Sequence, residues 1–114
     1  MTADIDSLRE TPWHRCDWRG NLVSIDGAST VDFVRADVAR VVAYGETILD
    51  AWDGECAGIV QLHDGRFVAW ESNWGPTGSG FCRDAYGGDA DIGFATTEEA
   101  ARSFISEKSR ELFR

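Results

Sequence analysis

Asp89-Ala90-Asp91-Ile92-Gly93 has the alternating spacing with which carboxylates offer hard oxygen ligands to calcium, and Asp84 stands close enough in sequence to join them. The pattern lacks a third oxygen ligand before the glycine and a distal bidentate glutamate. The competing reading is turn chemistry, in which the aspartates accept backbone N–H groups while Gly87 and Gly88 take positive φ. No metal is therefore assigned, and no cofactor. His14 and Cys16 lie two apart, which on a strand is the same-face spacing of a base and a nucleophile, but no third group orients them. His63 immediately precedes a turn and reads as exposed. Glu71 beside Asp84 or Asp91 is the one candidate set for carboxylate acid/base work, and nothing distinguishes an acid from a base within it. The nucleophile-elbow, zinc-protease, phosphate-loop and zinc-ligand spacings are all missing. No catalytic residue is assigned.

Recognition chemistry is better represented. Glu46, Asp50, Asp53 and Glu55 form an acidic run without a compensating base, and Trp52 interrupts it. An exposed tryptophan among carboxylates is a hot spot for an arginine-rich surface, through burial and cation–π contact. Trp52 in the core with the acids merely solvated is the plainer alternative. The glycine-rich stretch Asn73 to Asp91 adds Trp74 and Tyr86, as contact residues or as lids folded onto a sheet. Pro76 and the neighbouring glycines and small polar residues favour a shaped loop there. The expected partner-binding set is Glu46, Asp50, Trp52, Asp53, Glu55, Trp74, Asp84, Tyr86, Asp89 and Asp91.

The elements that must position these residues begin with a polar stretch, Met1 to Thr11, read as frayed. Trp13 to Trp18 and Leu22 to Ile25 flank Arg19-Gly20-Asn21 as a short hairpin. Ser29 as N-cap, apolar residues at Val31, Val34, Val38, Val41 and Val42, and Gly45 at the C-cap position predict a helix over Thr30 to Tyr44. The β-branched valines pull the other way, toward a strand over Val38 to Tyr44. Ala57 to Leu62 and Phe67 to Ser72 flank Asp64-Gly65, a two-residue hairpin signal. Pairing across such a turn places Val60, Leu62, Phe67 and Ala69 on one face and Ile59, Val68 and Trp70 on the other. With both faces apolar, the hairpin belongs in the middle of the fold, covered on two sides. Gly80 to Arg83 and Asp91 to Ala95 read as further strands. Thr96-Thr97-Glu98-Glu99 reads as a capping box, followed by a closing helix with an apolar stripe and a Glu98–Arg102 ion pair.

A chain of 114 residues with 43% hydrophobic residues is long enough for one domain with a real core, burying roughly two thirds of its unfolded surface. Its net charge of −9 disfavours phosphate backbones and acidic membranes and favours a basic protein partner, with simple solubility as the alternative. Three cysteines without paired spacing, and no signal-like N-terminus, suggest reduced thiols in a cytoplasmic protein. A homodimer through an unpaired sheet edge is compatible with this reading, though no residue argues for it.

The run DGRFVAWES, the GPTGSGF loop and the TTEEAARSF helix start resemble small acidic proteins of phages and mobile elements, in which a DGR hairpin leads to a TG-containing loop and a terminal helix. The resemblance spans Ile59 to Phe104 and implies an inhibitor or adaptor acting on host defence or transcription machinery. The expected architecture is α+β, an antiparallel β-meander of about four strands with two packing helices. The expected function is a non-enzymatic acidic binding protein engaging a basic, nucleic-acid-binding protein surface. A small ligand- or calcium-binding module using the 73–91 loops is the alternative, and a carboxylate-based enzyme comes after it.

Overall fold

The apolar runs of the central sequence pair into one antiparallel sheet. The computed structural model describes residues 5, 8, 11–13, 15–16, 22–23, 33, 35–48, 54–74 and 89–113. Two short strands, β1 (Arg15–Cys16) and β2 (Leu22–Val23), pair antiparallel as the N-terminal hairpin reading expects. A 3-10 turn (Arg35–Asp37) then leads into β3 (Val38–Ile48), β4 (Gly54–Leu62), β5 (Phe67–Trp74) and β6 (Asp89–Ala95), hydrogen-bonded in the order β3-β4-β5-β6. Two short helices close the described chain, α1 (Glu98–Phe104) and α2 (Glu107–Arg110), followed by a 3-10 turn at Glu111–Phe113. The α+β meander with two helices is therefore observed. The expected strand at Gly80 to Arg83 and the Tyr86-Gly87-Gly88 turn lie outside the described residues.

The helix expected over Thr30 to Tyr44 is replaced, from Val38 onward, by β3. Two register irregularities explain the deceptive spacing, one between Val38 and Arg40 and one between Val41 and Ala43. Each inserts a residue, so Val38, Val41 and Tyr44 pair with Leu62, Val60 and Gly58 and share one face at a spacing of three. A doubly bulged strand thus imitates a helical stripe, while its β-branched side chains keep their strand preference. Gly45 caps nothing and lies buried within β3.

The β4–β5 turn is also not the expected two-residue type. Gly65 has φ 94° whereas no other described residue has positive φ. Gly65 donates to the Leu62 carbonyl at 3.0 Å and Leu62 donates to the Arg66 carbonyl at 2.8 Å, the bonds of a type I turn closed by a glycine bulge. This longer turn shifts the register so that Val60 faces Val68 and Ile59 faces Ala69. Phe67 and Ala69 consequently move to the face opposite Val60 and Leu62, because a one-residue slip inverts every side chain. The observed first face holds Val38, Val41, Cys56, Val60, Leu62, Val68 and Trp70, and the second Ala57, Ile59, Phe67 and Ala69.

Both faces are covered, as the apolar runs Cys56 to Val60 of β4 and Phe67 to Trp70 of β5 require. Leu8, Trp13 and Phe33 close the first face, with the Trp13 ring edge-on to Trp70 at 5.7 Å. Leu8 and Thr11 are buried, so these two residues of the Met1–Thr11 stretch, read as frayed, belong to the core, while most of that stretch lies outside the described residues. Ala101 and Ile105 close the second face, with Leu112 and Phe113 packed beside them. Cys56 is buried in the first face among apolar side chains, in keeping with a small hydrophobe.

The C-terminal segment departs from a single helix. Thr97, not Thr96, is the N-cap of α1, and its hydroxyl accepts from Ala100 N at 3.1 Å. The Ala100 methyl group cannot accept a hydrogen bond in return, so the cap is one-sided rather than a box. The Glu98–Arg102 ion pair forms at 3.1 Å. Ile105 adopts extended geometry and ends α1, after which Ser106 caps α2. The Glu71 carboxylate accepts the Ser106 N–H at this break and ties the helix junction to β5.

At the β4–β5 turn, Asp64 accepts from Arg66 N at 3.0 Å and from Arg66 Nε at 2.8 Å. The backbone bond first, and the guanidinium bond second, hold the Asp64 carboxyl below its ordinary value. A carboxylate depressed in the folded state stabilises above its unfolded pKa, and that contribution disappears as pH falls through the folded pKa. Urea titrations across the acid range should therefore show a shallower acid loss of stability for Asp64→Ala than for the parent. Parallel acid limbs would refute a folded-state role for this pair.

Candidate functional site

In a meander, alternate connections leave the same end of the sheet, and here that geometry gathers the acidic sequence. The chain leaves β3 after Ile48 and re-enters at Gly54, and it leaves β5 after Trp74 and re-enters at Asp89. Gly54 pairs with both Ile48 and Trp74, so these connections depart from one end, opposite the Asp64-Gly65 turn. Next to that end, Thr47, Glu55, Asn73 and Asp89 form one row across the four strands, and Gly45, Ala57, Glu71 and Asp91 form another. Two acidic segments separated in sequence thus converge.

The charge balance of this end is one-sided. Among the described residues, the strands at this end carry five acids, Glu46, Glu55, Glu71, Asp89 and Asp91, and no base. Glu46 and Asp91 are exposed and Glu55 is half-buried. Lys108 Nζ approaches Glu55 Oε2 at 4.0 Å, a distant and solvent-exposed pair worth little. The opposite end is mixed in sign: Arg66 pairs with Asp64, and Arg40 donates to Gln61 and lies 4.0 Å from Glu98. His63 is exposed there, as expected of a turn residue, and its backbone N–H donates to the Asp37 carbonyl.

Of the expected partner-binding residues, Glu46, Glu55, Trp74, Asp89 and Asp91 lie on strands at the acidic end. Asp50, Trp52, Asp53, Asp84 and Tyr86 lie outside the described residues, as do His14 and most of the 73–91 stretch. Glu71, considered only for catalysis, proves to be the cross-strand partner of Asp91. Its carboxylate is engaged by the Ser106 N–H, which gives it a structural task at the helix junction. Among the described residues, no group of three or more His, Cys, Asp or Glu side chains is placed to hold a metal ion. No helix among them is long and apolar enough to cross a membrane.

The register across β3 to β6 was the signal that sequence reading lacked. Without the bulges in β3, Glu46 and Glu55 have no assigned position relative to Asp89 and Asp91. Comparison of the chain with protein-family models, curated proteins and solved structures returns no match.

Proposed function

We propose that this chain is a non-enzymatic acidic binding protein whose acidic sheet end engages a basic protein surface, in the manner of a mobile-element inhibitor or adaptor. The observation that supports this reading is the gathering of Glu46, Glu55, Glu71, Asp89 and Asp91 on the strands at one end of the sheet, with mixed charge at the other. Such a charge dipole orients the molecule during diffusional encounter and favours a partner of opposite sign. Where the partner is a nucleic-acid enzyme, the carboxylates occupy positions meant for phosphates. The cytoplasm is the proposed compartment.

The test is affinity capture from a cell lysate at low and high salt, using the parent chain and an E46Q/D50N/D53N/E55Q variant. Basic nucleic-acid-binding proteins should be retained at low salt and released as the Debye length shrinks. Removing four charges should lower retention by about tenfold, from a few tenths of a kcal/mol per charge. Equal retention by parent and variant, or at both salt concentrations, would overturn the proposal.

A further inference from the structure

We infer that the outer edge of β6 is a strand-addition site for an extended segment of the basic partner, one in which apolar and basic residues alternate. This inference rests on the acidic-binding reading and specifies its mode.

The two outer strands of the sheet differ in how they are protected. β3 carries two register irregularities, a common device against edge pairing, and the 3-10 turn at Glu111–Phe113 packs against it. β6 pairs with β5 through an uninterrupted register from Asn73↔Asp89 to Phe67↔Ala95, and no described strand lies beyond it. Among the described residues nothing bonds to its outward N–H and C=O groups, which form a regular template for another strand.

The side chains along that template specify what is added. On the first face, Ile92 is half-buried and Phe94 is 46% exposed. The Phe94 ring is held by Phe33 edge-on at 6.0 Å and by the Arg66 guanidinium at 5.3 Å, so it presents a fixed apolar surface. On the second face, exposed Asp91 stands opposite Glu71, and neither carboxylate has an ion-pair partner among the described residues. Directly opposed like charges destabilise a sheet, and a cationic side chain on an added strand offsets that repulsion. Strand side chains alternate between faces, so the added segment places apolar residues beside Ile92 and Phe94 and basic ones beside Asp91. A second copy of the chain suits this edge poorly, because each copy carries −9.

The probe is a capped peptide of alternating valine and lysine, titrated into the isotope-labelled full chain by NMR with amide-exchange readout. A valine–glutamate peptide is the control. The valine–lysine peptide should shift and protect the Asp91 to Ala95 amides, with affinity that falls with salt, while the control leaves them unmoved. Asp91→Asn removes a repulsive pair and so keeps the fold, and should weaken the peptide about threefold. Perturbation confined to β3 or other surfaces, unchanged affinity for Asp91→Asn, or β6 protection by self-association without peptide would each overturn the inference. Adding the peptide as competitor in the lysate capture separates the two proposals. A salt-sensitive partner that the peptide does not displace retains the acidic-end reading and removes the β6 edge. If peptide binds β6 while no basic partner is captured, the acidic-end reading falls and the edge stands.

Discussion

Replacing Trp70 with alanine should destabilise the protein by about 3–5 kcal/mol, the range for losing a large buried aromatic residue. Trp70 is fully buried in the middle of β5, between Gly58 of β4 and Ile92 of β6. Its indole lies directly over Gly58, where any Cβ would occupy ring positions. It meets Trp13 edge-on at 5.7 Å and Tyr44 at 6.3 Å, so one side chain links the sheet to the N-terminal cover. A domain of this size is stable by about 5–15 kcal/mol, so the loss is a large share of the whole. Urea denaturation followed by circular dichroism measures it without relying on the fluorophore that is removed. A loss under about 1 kcal/mol would show that the neighbouring residues collapse into the space. Gly58→Val should be strongly destabilising in the parent and much less so with Trp70→Ala, because the same volume is contested. Additive effects in that double-mutant cycle would contradict the close packing of the pair.

The same central packing explains which parts of the fold were legible. Asp64-Gly65 between apolar runs marks the β4–β5 hairpin correctly, because only glycine meets the positive φ cheaply. Turn length was not legible: a two-residue turn and a type I turn with a glycine bulge share the Asp-Gly signal, yet they place Phe67 on opposite faces. The β3 error has a related origin. Bulges are set by pairing with β4, and a spacing of three at Val38, Val41 and Tyr44 reads as helical without knowledge of that partner. At the candidate site, the acidic character of each segment was visible in composition. Their convergence was not, because it follows from connection topology and register. Ser106 likewise gave no sign of a helix break, since the bond that anchors it comes from Glu71 on a distant strand.

Gly45→Val sets local preference against packing, and packing should win by about 2 kcal/mol. Valine is a good strand former and Gly45 sits within an eleven-residue strand, so β-propensity alone favours the change by at most about 1 kcal/mol. A Cβ at Gly45, however, would overlap the Leu112 carbonyl group, which is backbone and cannot rotate away like a side chain. Overpacking against a rigid neighbour costs about 1–3 kcal/mol. Relief requires the Glu111–Phe113 turn to move off β3, which withdraws Leu112 and Phe113 from the second core face. Ile105 and Ala101 are held there by α1 independently of that turn, so the sheet itself should survive. Amide exchange in Gly45→Val should accordingly rise steeply over Glu107 to Phe113 while Ala57 and Ile59 stay protected. Unchanged protection of the C-terminal turn, with stability equal to or above the parent, would mean that it does not dock against β3 through Gly45.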